Sequence, residues 1–487
     1  MSFGPPPSIY TQSAVEAENR KKRRKLITFA AVATAVAVLC AGVWALSYAA
    51  GDSPSDRRPV AARQNPDDIR DTVERPPASP EGTTAVDYRT KLKVNQNLDA
   101  WGTWATDKTF AKTLDNRITG FRIGTGQVAW KLAFPGAVCA ATRHVTVDGR
   151  TAMVFSGEAP QKVDPNDTAP GQSCDQLAMF DIDTGKQLWH VKLPRNGLMG
   201  ITVTSMKGKV VAAWDAGSAA YAMADGKLLW SHEAQSFCKD SGYAGGKALV
   251  RLVTCGSGTN KRFLVQGTNP ATGKSEWNYQ VAPGVEDVRL VSSSPAVVAV
   301  AAGDMYVSDL ISLSDRGTHR ASISVPHDKY ATKCGTDVTD PIENCEGVVV
   351  GNGQLYVATA PREFGTAARG QAANEIVAFD LATGKSLRKF DAKSSRPIYP
   401  IRMSGDRLIA YRAAVGDALN AAMSIDPATG KQTVLLVFNA DSLPLLDDAD
   451  VRFEHGRIFF AVTTVAGPAG KDGEGDSETV AEGFGTG

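Results

Sequence analysis

Histidines and closely spaced cysteines are both scarce in this sequence. The chain has six histidines and seven cysteines among 487 residues, and neither type stands at a spacing typical of a metal site. No two cysteines are adjacent and no C-x-x-C pair occurs. Walker loops, nucleophile elbows and zinc motifs are also missing. The sequence therefore predicts no metal site and no catalytic residue, and it favours a protein that is not an enzyme, although it leaves that question open.

Long apolar runs are also lacking, with one exception near the N-terminus. The exception begins at Leu26, ends at Ala50, carries no charged residue and directly follows a basic run at residues 20–25. A helix of roughly 20 apolar residues crosses a bilayer, and basic residues stay on its cytoplasmic side. We therefore expect a cytoplasmic tail over residues 1–25 and a single transmembrane helix over residues 26–50, which anchors an extracytoplasmic domain in the cell membrane.

Two other interpretations of this segment compete with the membrane anchor. A cleaved signal peptide stays open, because small residues near Ala49 resemble a cleavage site, although signal peptides have a shorter apolar region of about 7–15 residues. Lipid attachment at Cys40 is disfavoured, because Leu39 stands where such signals carry a small residue. Outside the basic run the charges nearly balance, and the whole chain carries +1. The sequence therefore predicts no nucleic-acid partner.

Composition divides the remainder of the chain into a linker and one large domain. Residues 51–86 are rich in proline and charge, and they are too poor in large apolar side chains to form a core. We expect a disordered stalk there and an extracytoplasmic domain over residues 87–487. Within that domain, residues 467–478 are Gly-rich and acidic, and we expect them to be loose.

A short motif recurs along the large domain. One copy reads FDIDTGKQLW at residues 180–189. The copies are centred on turn glycines that lie 41 to 67 residues apart: Gly126, Gly185, Gly226, Gly273, Gly317, Gly384 and Gly430. Four copies carry a tryptophan four residues after the glycine: Trp130, Trp189, Trp230 and Trp277. Alternating strands around a turn at this period indicate a β-propeller rather than a helical solenoid.

The motif has a physical explanation at each of its special positions. Glycine supplies the positive φ that a tight hairpin needs, and the tryptophan is expected to pack as a wedge between adjacent blades. Asp181, Asp380 and Asp426 precede their turn glycines by four residues and are expected to bind hairpin backbone. Turn and wedge residues are therefore predicted to be structural.

Seven turns imply at least seven four-stranded blades, and we favour eight. The eighth blade combines three C-terminal strands, at residues 451–454, 457–465 and 479–484, with an isolated N-terminal strand at residues 88–94. This pairing closes the ring and removes exposed strand edges. Seven blades with frayed ends is the alternative.

The Phe-Asp-x-x-Thr-Gly-Lys-x-x-Trp motif resembles the signature of the PQQ-like repeat family of bacterial propellers, over roughly residues 88–465. The family includes quinoprotein dehydrogenases, which bind pyrroloquinoline quinone (PQQ) and calcium, and cofactor-free scaffolds of the cell envelope. The dehydrogenases carry a pair of adjacent cysteines that this chain lacks. The resemblance therefore implies an all-β PQQ-like propeller that acts as a non-catalytic binding or sensing scaffold without a cofactor. A quinoprotein-type oxidoreductase using PQQ and calcium is the alternative.

Six cysteines fall outside the apolar segment, and the repeat sorts them into pairs. Exported proteins form disulfides, and each pair lies between two consecutive turn glycines, which predicts Cys139–Cys174, Cys238–Cys255 and Cys334–Cys345. A metal site is the weaker rival. With the strands of a blade named A to D from the axis outwards, the Thr-Gly turns join C to D on one face, the turn face. The B–C and D–A connections form the opposite face, the loop face, and all six cysteines map to it.

Long connections fall on the same side of the predicted ring. Residues 157–173 and 361–373 both occupy B–C positions on the loop face. Loops on a rigid scaffold often carry function, so we expect an envelope protein or peptide to bind there. The other interpretation is that the disulfides only protect long loops outside the cell.

Overall fold

The computed structural model contains eight four-stranded antiparallel sheets that follow one another along the chain. It describes residues 65–158, 173–194, 200–235, 237–303, 306–334, 342–343, 345–363, 372–392, 396–414, 418–440, 449–468 and 474–486. The predicted tail, transmembrane helix and first part of the stalk lie outside these ranges. Within them, no helix has the length and apolar character that a membrane span requires.

Blades 1 to 4 take their strands A to D consecutively from the chain. Blade 1 consists of Thr103–Ala105, Thr109–Leu114, Arg117–Arg122 and Val128–Ala133. Blade 2 consists of Val138–Ala141, Arg150–Phe155, Gln176–Asp181 and Gln187–Lys192. Blade 3 consists of Thr202–Met206, Lys209–Trp214, Gly217–Ala222 and Leu228–Glu233. Blade 4 consists of Cys238–Ala244, Val250–Cys255, Arg262–Thr268 and Ser275–Gln280.

Blades 5 to 7 repeat this order, and blade 8 differs in its outermost strand. Blade 5 consists of Val285–Ser293, Ala296–Ala302, Asp309–Leu313 and His319–Ser324. Blade 6 consists of Val348–Gly351, Gln354–Ala358, Glu375–Asp380 and Ser386–Asp391. Blade 7 consists of Ile398–Ser404, Arg407–Arg412, Asn420–Ile425 and Gln432–Phe438. Blade 8 consists of Ala449–Glu454, Arg457–Val462, Glu474–Gly485 and the N-terminal strand Thr83–Lys93.

Three short pairs and one 3-10 turn complete the described secondary structure. Asn97–Asp99 pairs with Thr464–Ala466, Lys333–Cys334 with Cys345–Glu346, and Arg362–Glu363 with Ala372–Ala373, while Gly258–Asn260 forms the 3-10 turn. All three pairs lie in B–C or D–A connections. They extend the loop face rather than the blades.

The apolar core lies between the blades and not at a single centre. Between blades 4 and 5, for example, Leu252 and Val265 pack with Leu290 and Val298 in one buried cluster. The A strands of successive blades contact one another and so surround the axis. The D strands alternate between exposed and half-buried residues, as the outer edge of a ring requires.

The eight-bladed ring and its predicted closure are confirmed. Thr83–Lys93 pairs antiparallel with Glu474–Gly485, with Tyr88 opposite Ala481. The strand at the C-terminus begins at Glu474, so the loose segment predicted over residues 467–478 is corrected for its second part. The reason is that the N-terminal strand offers backbone partners as far as Lys93, which lies opposite Glu474. The C-terminal strand therefore begins five residues before its predicted start at residue 479.

The stalk predicted over residues 51–86 is also corrected for its described part. From Asp67 onward, this part contacts the propeller. The Arg70 backbone N–H donates to the Val145 carbonyl at 2.8 Å, and the Gly82 N–H donates to the Val437 carbonyl at 2.8 Å. Polar side chains and backbone groups hold the segment, so its lack of apolar residues does not leave it free.

Candidate functional site

The turn face is regular because each Thr-Gly turn has the same backbone geometry. All seven turn glycines adopt φ between 67° and 75°, a region in which other residues are strained. In the turn of blade 2, the Gly185 N–H donates to the Asp181 carbonyl at 2.9 Å, and Asp181 Oδ1 accepts from the Thr184 N–H at 2.8 Å. Asp380 and Asp426 make the same contacts in their turns. These carboxylates serve the hairpin, as predicted.

The four motif tryptophans are wedges that pack against the turn of the next blade. A Cβ added to Gly185 would lie 2.3 Å from Trp130, so the indole occupies the space over that glycine. Trp130 Nε1 also donates to the Ile182 carbonyl at 3.0 Å. Trp189, Trp230 and Trp277 cover Gly226, Gly273 and Gly317 in the same way. None of these rings is available to stack on a ligand.

A fifth wedge escapes the sequence motif. Arg388 stands four residues after Gly384, where the other copies carry tryptophan. Its guanidinium donates to the carbonyls of Ala428 and Thr429 in the next turn, at 3.0 and 3.2 Å. Nothing in the pattern distinguishes this arginine from a solvent-exposed residue, so the sequence could not reveal its role.

The loop face carries three disulfides, and they join the three predicted pairs: Cys139–Cys174, Cys238–Cys255 and Cys334–Cys345. The first connects strand A of blade 2 to the connection before its strand C. The second joins opposed residues at the ends of strands A and B in blade 4. The third closes the connection between blades 5 and 6. The predicted loops lie mostly outside the described residues.

Two aromatic side chains project from the described part of the loop face. Phe237 is 92 % exposed and lies next to the Cys238–Cys255 disulfide. Its φ is +69°, an unusual value for a bulky residue, and its carbonyl accepts from the Gly256 N–H at 2.8 Å. On blade 5, Tyr306 stacks on His327 with ring centroids 4.5 Å apart. Sequence reasoning missed both rings, because an isolated aromatic in a loop has no distinguishing pattern.

The connection closed by Cys334–Cys345 also reaches into the axis. Ile342 is buried, and its carbonyl accepts from the Leu290 N–H at 3.0 Å. The Glu343 carboxylate accepts from the Gly245 N–H at 2.6 Å and lies 3.2 Å from His144 Nε2. Residues 342–343 therefore plug the axis and link blades 2, 4 and 5. Burial opposes ionisation of Glu343, but His144 and the Gly245 N–H outweigh it and hold the pKa of this carboxyl below its usual range.

Charged side chains surround a cavity of about 50 Å³ beside this plug. Arg143 lines it and donates to the Glu343 carbonyl at 3.0 Å, while Arg452 and Asp450 form a pair at 2.9 Å. Glu346 faces these groups, and burial together with Asp450 raises its pKa to about 8. The cavity has room for a few water molecules, and the neighbouring charges nearly balance.

Lys112 is a second unusual charge near the axis. It lies on strand B of blade 1 and is fully buried. Its ammonium donates to the Ala100 carbonyl and, at 3.0 Å, to Thr103 Oγ1. Burial lowers the pKa of Lys112 to about 7. These bonds join strand B to strand A and to the connection that precedes it, so we assign Lys112 a structural role.

Ser218, His232 and Asp240 meet between blades 3 and 4 but do not form a catalytic triad. Ser218 Oγ donates to Asp240 at 2.7 Å, and His232 Nδ1 lies 3.0 Å from the same carboxylate oxygen. Ser218 is fully buried, and it binds the aspartate rather than the histidine that would have to activate it. The described residues also contain no group of three or more His, Cys, Asp or Glu side chains placed to hold a metal.

Comparison with known proteins supports the repeat assignment. A PQQ-repeat family model, described as outer membrane protein assembly factor BamB, matches residues 174–342. No curated protein matches the chain. Among solved structures, BamB from Moraxella catarrhalis is 11 % identical with a TM-score of 0.41, covering 82 % of this chain and 100 % of that one. The Cps50 (Swd1) β-propeller domain from Myceliophteria thermophila is 10 % identical with a TM-score of 0.37, covering 71 % and 99 %.

Proposed function

We propose that this chain, whose resemblance to the PQQ-like β-propeller repeat family is confirmed by the family match, is a non-catalytic binding scaffold of the bacterial cell envelope. Its anchor is the apolar segment from Leu26 to Ala50, with the N-terminus in the cytoplasm and the propeller outside. The partner is an envelope protein or peptide, and it binds the loop face. The matched family description names an assembly factor, which agrees with a scaffold role.

The observation that carries this proposal is the unequal construction of the two faces. All three disulfides brace the loop face, and Phe237 projects from a backbone fixed by one of them. Rigid, exposed aromatic side chains are common anchors of protein interfaces, because they bury much area at a low entropy cost. Disulfides that only protected loops would not require an exposed ring beside them.

Site-specific photo-crosslinking in intact cells tests the binding face. A crosslinker at Phe237 is expected to give one discrete adduct. Leu228 is the matched control, because it is 50 % exposed and lies close to the turn face, on the strand D of blade 3 that leads to Phe237. An equal adduct at Leu228, or none at Phe237, would contradict the proposal.

The anchor and the missing cofactor have separate tests. Thiol-specific labelling of whole cells, with a cysteine introduced at Ser2 or at exposed Asp225, is expected to modify only the second position.

We also propose that the protein acts without PQQ, since it has no adjacent cysteine pair. Calorimetry with PQQ and calcium is expected to show no binding, and stoichiometric binding with dye reduction would favour the oxidoreductase instead.

A further inference from the structure

Residues 65–74, here named the strap, cross the turn face from one side of the ring to the other. At one end the strap contacts the A–B hairpins of blades 2, 3 and 4, and at the other end it contacts blades 7 and 8. Blades 3 and 7 stand opposite each other in a ring of eight. Six residues of extended chain reach about 20 Å, so the strap spans the mouth of the axis on this face.

Backbone hydrogen bonds attach the strap to blades 2 and 3 as they would a bound peptide. The Arg70 N–H donates to the Val145 carbonyl at 2.8 Å, and the Val147 N–H donates to the Asp68 carbonyl at 2.9 Å. The Gly208 N–H donates to the Asp67 carbonyl at 3.3 Å. Pairing through main-chain groups is a recurring mode of peptide recognition, and it places few demands on the sequence of the peptide.

Charge supplies the selectivity that the backbone bonds lack. Each acidic residue of the strap meets a cation from a different blade: Asp67 with Arg150 at 2.5 Å, Asp68 with Lys207 at 2.7 Å, Asp71 with Lys247 at 3.3 Å, and Glu74 with Arg402 at 2.5 Å. The four cations form a row across the turn face, here named the basic track, in which Arg150 also pairs with Asp148 at 2.8 Å and Arg402 with Glu454 at 3.5 Å. The segment that the track fits is extended and acidic.

The two ends of the strap are held with different strength. Glu74 is nearly buried, and its two carboxylate oxygens accept from the His455 and Gly456 N–H groups, both at 2.9 Å. Lys207 and Lys247 are 62 % and 72 % exposed, and ion pairs between exposed side chains contribute little. Arg150, which holds Asp67, is only 13 % exposed, so the strap is anchored most firmly at Glu74 and its contacts at Asp68 and Asp71 are the easiest to release.

We propose that the basic track on the turn face is a recognition surface for extended acidic peptides, occupied in this chain by its own strap. The strap acts as an internal competitor, and an acidic segment of a partner protein gains the track by displacing residues 65–71. This surface lies opposite the loop face, so the inference does not rest on the function proposed above.

The test uses the full chain and a labelled peptide with the strap sequence NPDDIRDTVE. A D67N/D68N/D71N protein, whose own strap is weakened, is expected to bind this peptide at least tenfold more tightly than the wild-type protein in fluorescence anisotropy. The same peptide with its three aspartates replaced by asparagine is expected to lose that binding. Added salt is expected to weaken it, because the contacts involve exposed charges.

Two control proteins keep the result specific. A D225N/D315N/D328N protein loses the same charge at exposed positions away from the strap, and it is expected to behave as the wild type. Adding K207A and K247A to the weakened protein is expected to weaken peptide binding several-fold while the circular dichroism spectrum stays unchanged.

Three outcomes would overturn the proposal. The first is equal binding to wild-type and weakened proteins, and the second is no binding although hydrogen exchange shows the strap released. The third is a dimer of the weakened protein in light scattering, since the displacing segment would then be the strap of a second copy rather than a partner.

Discussion

On the turn face, the connections between strands C and D are short and nearly identical. On the loop face, the B–C and D–A connections vary widely in length. The B–C connection of blade 3 has two residues, 215–216, and that of blade 2 has twenty, 156–175. Five of the seven turn glycines lie beneath a wedge of the preceding blade, four under tryptophan and Gly430 under Arg388, so the sequence of these turns is constrained. The described part of the loop face shows no comparable repeated contact, and three disulfides brace it instead. Repeated packing therefore constrains the sequence of the turn face, while the connections of the loop face are free to vary in length and sequence for binding.

The largest expected effect concerns the wedges of the turn face. Trp230→Ala removes a buried indole that fills the space over Gly273 and donates to the Pro270 carbonyl. We expect a loss of about 3–5 kcal/mol in the free energy of unfolding, typical for a buried aromatic, measured by urea denaturation. Leu228→Ala, two residues earlier and half exposed, is the control and should change stability by less than about 0.5 kcal/mol. Similar losses in both variants would contradict the wedge role.

The next effect concerns the disulfides of the loop face. Cys139 and Cys174 are 35 residues apart, and Cys334 and Cys345 are 11 apart. Longer loops lose more entropy on closure, so replacing the first pair by alanine should cost about 3–4 kcal/mol and replacing the second about 2–3 kcal/mol. Thermal melts of the two double variants give the comparison. The reverse order would show that local strain, and not loop length, determines the contribution.

The strap provides a third effect, on the turn face. Arg402→Ala leaves the nearly buried Glu74 carboxylate without its cation, which should cost about 2–3 kcal/mol at pH 7. Burial already raises the pKa of Glu74, and losing Arg402 raises it further. Protonation at low pH then removes the unpaired charge, so the cost should shrink between pH 7 and pH 4.5. A cost that is the same at both pH values would argue against Glu74 as the cause.

The smallest effect concerns the axis beneath the loop face. The pKa of Glu346 is raised to about 8 from 4.5, so the folded state holds its proton more tightly than the unfolded state. Its contribution to stability is full below pH 4.5 and is lost as the pH rises towards 8. Glu346→Gln should therefore match the wild type at pH 4.5 and be more stable by about 1–2 kcal/mol at pH 9. Equal stability of the wild type and Glu346→Gln at pH 9 would show that the Glu346 carboxylate does not carry the cost of a buried charge.

The sequence revealed the repeated features of the fold and missed the unrepeated ones. The Thr-Gly turns, the wedge at Trp130 and the local disulfides follow from a pattern whose geometry recurs in every copy. The strap has no apolar period, and its partners lie in hairpins scattered between Arg150 and Arg402. The plug at Glu343 depends on a single polar residue that reaches distant blades. Long-range polar contacts leave no local signal, so only the structure discloses them.

The pairing of the N-terminal strand with the C-terminal strand determines when blade 8 can be completed during synthesis. Thr83–Lys93 is synthesised first among the blade strands, yet its partner Glu474–Gly485 follows almost 400 residues later. Until that partner emerges, blade 8 is incomplete and the N-terminal strand presents an open edge that other chains can pair with. The protein therefore has a vulnerable interval during its production that ends only with its last strand. A variant truncated before Glu474 would keep this open edge permanently, and we expect it to aggregate more readily than the complete protein.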